Sequence, residues 1–294
     1  MKIIEKRAKE ISNVIQQVST KRGKILVKPN IVSCEPYPTT TDPSVLDVVL
    51  NAFEVSEVAV ADGPAPDKVY YYKNRPIRFK MDEMNDIRAS SLKFWEDARE
   101  YVDGRLPPEL ERDTLNYIHG VVIESELAKI CEKHGIEMRC FDTDFEYEEV
   151  EEQGFKFRIV KLDDFDLIVA LPVLKLHSEC GFTGARKILF GLINHFDKIR
   201  LHVYANRGRL NFMRLIDDLP RIIGRRTLTM LDATFVQCAQ ERVWGGTNVK
   251  KIEGGLIVGE NPYEIDEYAR RLLKREDIVN YTYMYTYKDQ GSIW

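Results

Sequence analysis

The stretch 166–174 reads DLIVALPVL, and no other segment of the chain is as apolar. A run this short is the length of a strand. Continuous apolar character, rather than alternation, means that both faces of that strand are covered. Such strands sit at the centre of parallel sheets flanked by helices. Shorter β-rich runs repeat the theme: KILVK at 24–28, EVAVAD at 57–62, IEMRCF at 136–141, TLTMLDAT at 227–234 and GGLIVG at 254–259. Helical patterns lie between them. Asp42–Pro43 opens VLDVVLNAF with an N-cap aspartate and a first-turn proline, and Asn261–Pro262 opens YEIDEYARRLLK in the same way. VIESELAKICEKHG reads as one helix stopped at Gly135. NFMRLIDDL and a stretch inside GARKILFGLINHF read as two more. The expected fold is α/β, a mainly parallel sheet with helices on both faces. It forms one domain over 1–294, with an inserted helical segment at 70–120. FKFRIVKL reads as a hairpin strand, and the acidic run DFEYEEVEEQ before it reads as a solvated loop. The tyrosine-rich tail YTYMYTYKD fits an edge strand, a dimer contact or an ordered tail.

No apolar run reaches the ~18 residues of a membrane span, and the N-terminus lacks a signal-peptide core. A cytoplasmic protein without membrane attachment is expected. Charged residues form 31% of the chain, which with few glutamines hints at a thermophile. The five cysteines are dispersed without a CxxC pair, against a disulfide framework or a self-contained ferredoxin module. P-loop, GxGxxG and GxSxG motifs are absent, which removes the standard ATPase, dehydrogenase and hydrolase readings.

In open α/β sheets ligands bind beyond the carboxyl ends of the strands. Three loops there carry chemistry: KPNIVSCEPYPTT, ADGPAPDK and LKLHSECGFTG. The last is the strongest candidate. Thr183 and Gly184 lie where a helix is expected to begin, so free backbone amides would cradle an anion. Arg186 and Lys187 follow in its first turn, where a cation is unfavourable unless something negative sits between. Ten Lys or Arg face three Asp between Gly184 and Arg226, a basic sector on a chain of net charge −4. The implied ligand is a small anion, a carboxylate, a phosphate or a phosphate-bearing cofactor. Lys175, His177 and Lys187 are the candidate catalytic residues. Lys28, Asn30, Asp62 and Gly63 would line the facing loops, with Thr183, Gly184 and Arg186 completing the binding set. His177 and His202 are candidate ligands for a metal. Nucleic-acid motifs are absent, so nucleic acid is not an expected partner. Nothing in the sequence sets the oligomeric state.

Several of these motifs occur together in one family. KPN at 28–30, TTDPS at 40–44, DGP at 62–64, PVLKLHSECGFTGARKILFGL at 172–192, LDAT at 231–234 and GENPYEIDEYARRLL at 259–273 resemble the family catalogued as domain of unknown function 362. The resemblance implies an uncharacterised function, in a family where some members carry fused ferredoxin-type cysteine motifs. A redox-associated enzyme, or a non-enzymatic partner of an iron–sulfur or other redox protein, follows as an expectation. Leu176 and Ile188 depart from the threonine and asparagine expected there. The histidine followed by a glycine-containing loop and G-x-R-K is also similar to the nickel-pincer lactate racemase family. That similarity implies a metal- or pincer-dependent isomerase, with His177 and Lys187 in its active site and His202 as a further metal ligand.

Overall fold

A computed structural model describes residues 9, 11–15, 23–32, 36–53, 58–65, 108–177, 180–238, 249–252 and 254–276. Most of the expected insertion at 70–120, and the whole tyrosine-rich tail, lie outside the described residues.

The chain forms an α/β fold around a mainly parallel, mixed sheet. Strands β1 (Ile25–Pro29), β2 (Val58–Asp62), β3 (Met138–Cys140), β6 (Leu167–Leu171) and β9 (Thr227–Gln237) run parallel in the order β3-β2-β1-β6-β9. The run 166–174 is central, as its composition requires. Pro172, which has no amide to donate, divides it into β6 and β7 (Val173–His177). Both halves lie along the same side of β9: Ile168 stands opposite Thr227, and Val173 opposite Asp232. The register slips only between Val173 and Lys175. β8 (Gly181–Thr183) folds back antiparallel on β7, while β10 (Val249–Lys251) and β11 (Leu256–Gly259) pair antiparallel with the other side of β9.

Hydrophobic cores cover both faces. Ile25 and Val27 of β1 point into one, with Val60, Val169 and the helices Pro43–Ala52, Pro108–Ile123 and Glu126–Lys133. The alternate residue Leu26 joins Ala61, Ile168 and Ala170 in the other, under the 3-10 helix Lys187–Leu192 and the helices His195–Asn206 and Phe212–Ile223. A third core holds helix Pro262–Arg275 against β9 and Leu174. Asp42 accepts from the Ser44 amide, as an N-cap should, and its helix buries Val45, Leu46, Val49 and Leu50. Each such side chain contributes about 1.5–3 kcal/mol when removed from water.

Four local expectations need correction. VIESELAKICEKHG is not one helix: Glu124 and Ser125 interrupt it, and the Ser125 hydroxyl caps a new helix at Glu126. GARKILFGLINHF is also divided, because Asn194 accepts from the Phe196 amide and starts a fresh helix at His195. The acidic run is not a loop but β4 (Tyr147–Glu152), paired with β5 (Phe155–Val160). Gln153 and Gly154, both with positive φ, supply the tight turn that a two-residue hairpin demands. Finally, no α-helix begins at Thr183–Gly184. Thr183 closes β8 opposite Lys175, and only a 3-10 helix follows from Lys187.

Candidate functional site

Three neighbouring strands end side by side, and each end carries a charged residue. Lys28 sits at the end of β1, Asp62 ends β2, and Asp142 follows β3. Lys28 is 1% exposed, on a strand buried along its whole length. Its Nζ donates to Asp62 Oδ1 at 2.5 Å and to the Pro29 carbonyl at 3.3 Å. Asp62 Oδ2 accepts the Ile31 amide at 2.5 Å. Burial pushes the Lys28 pKa down; Asp62 opposes that shift, and the nearby charges of Lys198 and Lys187 reinforce it. The 3-10 helix lies directly over this pair. A Cβ at Gly191 would stand 2.6 Å from Lys28 Nζ, so a larger residue there would have to displace the lysine from its present position.

A second group adjoins the first across Gly63. Asp142 Oδ1 accepts from the Tyr147 hydroxyl at 2.7 Å, the His195 amide at 2.8 Å and Asn194 Nδ2 at 3.5 Å. Asp142 Oδ2 is sealed from solvent without a hydrogen-bond partner among the described residues. Lys198 Nζ and both ring nitrogens of His195 are in the same condition. Lys198 is 2% exposed and His195 1%. A Cβ built on Gly63 would stand 3.0 Å from Asp142 Oδ2 and 3.5 Å from Lys198 Nζ, so the carboxylate and the ammonium straddle that glycine. Burial holds the His195 pKa down at about 3; Asp142 opposes this and Lys198 adds to it. The imidazole is therefore neutral. Asp197, one residue before Lys198, is engaged elsewhere: it accepts from the Arg158 amide and Nε, both at 2.9 Å, and pairs with Arg200 at 3.3 Å.

The residues singled out from sequence fall into three sets. Lys28, Asp62, Gly63 and Lys187 belong to the site just described. Lys187 Nζ also lies over the rings of Phe190 and Phe212, at 4.5 and 5.6 Å from their centroids, beside His202. Asn30 and Lys175 instead hold the loop that carries Thr39. Both donate to the Thr39 carbonyl, at 3.1 and 2.5 Å, while Thr41 Oγ1 accepts from the Asn30 amide and donates to the Leu171 carbonyl. His177 ends β7, where its Nδ1 accepts from the Cys180 amide at 3.3 Å.

Thr183, Gly184 and Arg186 form the third set, and there the sequence argument is corrected. The negative charge that offsets Arg186 belongs to the protein itself. Asp266 of helix Pro262–Arg275 accepts from the Ala185 amide at 2.6 Å, the Arg186 amide at 3.2 Å and Arg186 Nε at 2.7 Å. Asp217 takes the far end of the same guanidinium. A Cβ at Gly184 would meet Asp266 Oδ1 at 2.2 Å. Much of the basic sector is neutralised in the same fashion: Arg214 pairs with Asp218, Arg221 with Glu152 and Asp218, Arg225 with Asp163, and Arg226 with Glu260. A charge count along the chain cannot see partners that arrive from other elements.

Sequence reasoning gave no role to Asp142, His195 or Lys198. One signal was available. Asp142 follows the strand IEMRCF as Asp62 ends EVAVAD, so the strand-end carboxylate was repeated one strand further on. Nothing in the sequence marks Lys198 as buried. Among the described residues no group of three or more His, Cys, Asp or Glu could hold a metal ion.

Residues 110–271 match the model of the family described as Domain of unknown function (DUF362). The chain belongs to this family. The DUF362 match covers LKLHSECGFTGARK and the C-terminal LDAT and NPYEIDEYARR motifs, while KPN, TTDPS and DGP fall before it. A crystal structure of a protein from Thermotoga maritima is similar at 12% identity and a TM-score of 0.46, covering 93% of this chain. The lactate racemase apoprotein from Thermoanaerobacterium thermosaccharolyticum is similar at 12% identity and a TM-score of 0.44, covering 88% of this chain. This DUF362 chain spans 59% and 51% of the lengths of those two proteins. No curated protein matches its sequence. No described helix is long and apolar enough to cross a membrane.

Proposed function

We propose that this protein is an enzyme that binds a small organic anion at the carboxyl ends of β1, β2 and β3, between Gly63, Lys198 and the Lys28–Asp62 pair. One observation carries the reading: the Lys198 ammonium is buried without a hydrogen-bond partner, in a neighbourhood that already contains Lys28 and Lys187. Removing a charged ammonium from water costs several kcal/mol unless an opposite charge compensates it. Asp62 is taken by Lys28 and the Ile31 amide, Asp197 by Arg158 and Arg200, and Asp142, the nearest carboxylate, across Gly63, makes no hydrogen bond or ion pair with Lys198, so none of the three supplies a direct partner. A ligand oxyanion would. His195 is neutral, but with its pKa held near 3 it is a weak base, and it serves here as an uncharged hydrogen-bonding group rather than a general base.

The pincer-type reading is not favoured. His177 faces the Cys180 amide, His202 packs between Phe190 and Phe212, and no described cluster adds a third metal ligand. Docking to a redox partner through the basic sector is weakened by the intramolecular pairing of its arginines.

Calorimetry and thermal denaturation with acetate, phosphate and small carboxylates test the anion site. The expected result is ligand-induced stabilisation of the native protein that disappears in Lys198→Met. Equal stabilisation of both proteins by every anion would refute the site.

A further inference from the structure

We infer that the β4–β5 hairpin is the positioning element of this site: Tyr147 and Arg158 set the geometry of Asp142, His195 and Lys198 and act through them. The functional consequence rests on the anion reading; the geometry stands without it. The hairpin forms a two-stranded sheet of its own, apart from the main sheet. Its two strands nevertheless reach both halves of the site. From β4, the Tyr147 hydroxyl donates to Asp142 Oδ1 at 2.7 Å. Burial and Asp142 both push the Tyr147 pKa up, so the phenol stays a donor. From β5, Arg158 makes four hydrogen bonds to the start of helix His195–Asn206. Its carbonyl accepts from the Asn194 amide and its own amide donates to Asp197 Oδ2, both at 2.9 Å. Its guanidinium donates through Nε to the same Asp197 oxygen at 2.9 Å and through Nη2 to Asn194 Oδ1 at 2.7 Å.

The two residues that Arg158 grips stand immediately before the two that they orient. Asn194 precedes His195 and caps the helix, its Oδ1 also accepting from the Phe196 amide. Asp197 precedes Lys198. His195 and Lys198 are three apart on that helix, so they share one face, and a rotation of its first turn moves both. The planar guanidinium fork holds Asn194 and Asp197 at once and fixes that rotation; an ammonium is a single point of charge and does not. The arms of the hairpin meet again at Asp142, whose Oδ1 also accepts from the His195 amide at 2.8 Å and Asn194 Nδ2 at 3.5 Å. A closed ring of contacts thus runs from Tyr147 through Asp142 and Asn194 to Arg158, and the β4–β5 pairing completes it. Arg158 itself is 46% exposed, where an ion pair contributes little to stability. Orientation is what its side chain supplies.

With only five histidines in the chain, imidazole carbon–proton NMR spectra resolve His195, assigned through His195→Gln. Arg158→Ala keeps both backbone bonds and loses the fork. It should move the His195 resonance and weaken acetate binding about tenfold in calorimetry. The resonance of His134, which lies beside Asp47 on other helices, should stay in place. Arg158→Lys should recover the melting temperature of the parent but neither its His195 resonance nor its acetate affinity. Tyr147→Phe, which removes only the donor to Asp142, should move the same resonance. Arg221→Ala cuts the hairpin's tie to helix Phe212–Ile223, made to Glu152 at 2.7 Å, and should leave His195 as in the parent. Three results would each overturn the positioning role: a His195 resonance unmoved in both Arg158→Ala and Tyr147→Phe, full recovery in Arg158→Lys, or an equal shift in Arg221→Ala. If the parent binds neither acetate nor phosphate, the anion reading falls alone, and the His195 spectra still decide whether the hairpin positions these residues.

Discussion

The neutral state of His195 can be measured through the pH dependence of folding. An exposed histidine titrates near 6.5, and this one is held down at about 3. Burial is the larger cause; Lys198 adds to it, and Asp142 opposes both without prevailing. The gap of about 3.5 units corresponds to about 5 kcal/mol at 1.36 kcal/mol per unit. The sign follows from which state takes the proton. The unfolded chain protonates its histidine below pH 6.5, whereas the folded chain does not until near pH 3. Stability from a neutral His195 is thus complete above pH 6.5, falls as the pH drops through that window, and is fully lost near pH 3. Between pH 7.5 and 5 the loss amounts to about 2 kcal/mol. Urea unfolding of the parent and of His195→Gln should be compared across that interval, in buffers without carboxylate or phosphate. Carboxylates elsewhere titrate equally in both proteins, so the difference isolates the imidazole. The parent should lose about 2 kcal/mol more than the variant. Parallel stability curves, or a His195 imidazole proton resonance titrating near pH 6.5, would refute the assignment of a buried, uncharged ring.

Two further outcomes are expected. Asp266→Ala removes the shared acceptor of the Ala185 amide, the Arg186 amide and the Arg186 guanidinium, and should cost about 3–5 kcal/mol in denaturant unfolding, because a half-buried cation loses its main partner. Cys131 and Cys140 have thiols pushed up to about 12 by burial, so brief iodoacetamide treatment of the native protein should leave both unmodified by peptide mass spectrometry and modify them after unfolding.

Much of the fold was legible because it rests on local signals. Continuous apolar runs marked β1, β6 and β9; Asp42–Pro43 and Asn261–Pro262 marked two helix starts, and the caps bond as those residue types do elsewhere. The failures share a cause. In β4 the alternation of glutamates with Tyr147 and Val150 looked like a solvated acidic run until β5 supplied the hairpin partner. At Arg186 the sequence showed a cation in an unfavourable place and correctly implied a nearby anion. It could not show that Asp266, eighty residues away, provides it.

What the sequence determined by itself is the α/β layering and the placing of charged residues at strand ends, since hydrophobic periodicity and capping act over a few residues. Tertiary structure alone decided which of those charges are satisfied. Arg186 and most of the basic sector find carboxylates on distant elements and become structural. Lys198, Asp142 and His195 keep buried polar atoms that no described residue pairs, and Asp142 and Lys198 come close to one another at Gly63. Coulomb energies depend on separation in space and on burial, and neither is a property of position along the chain.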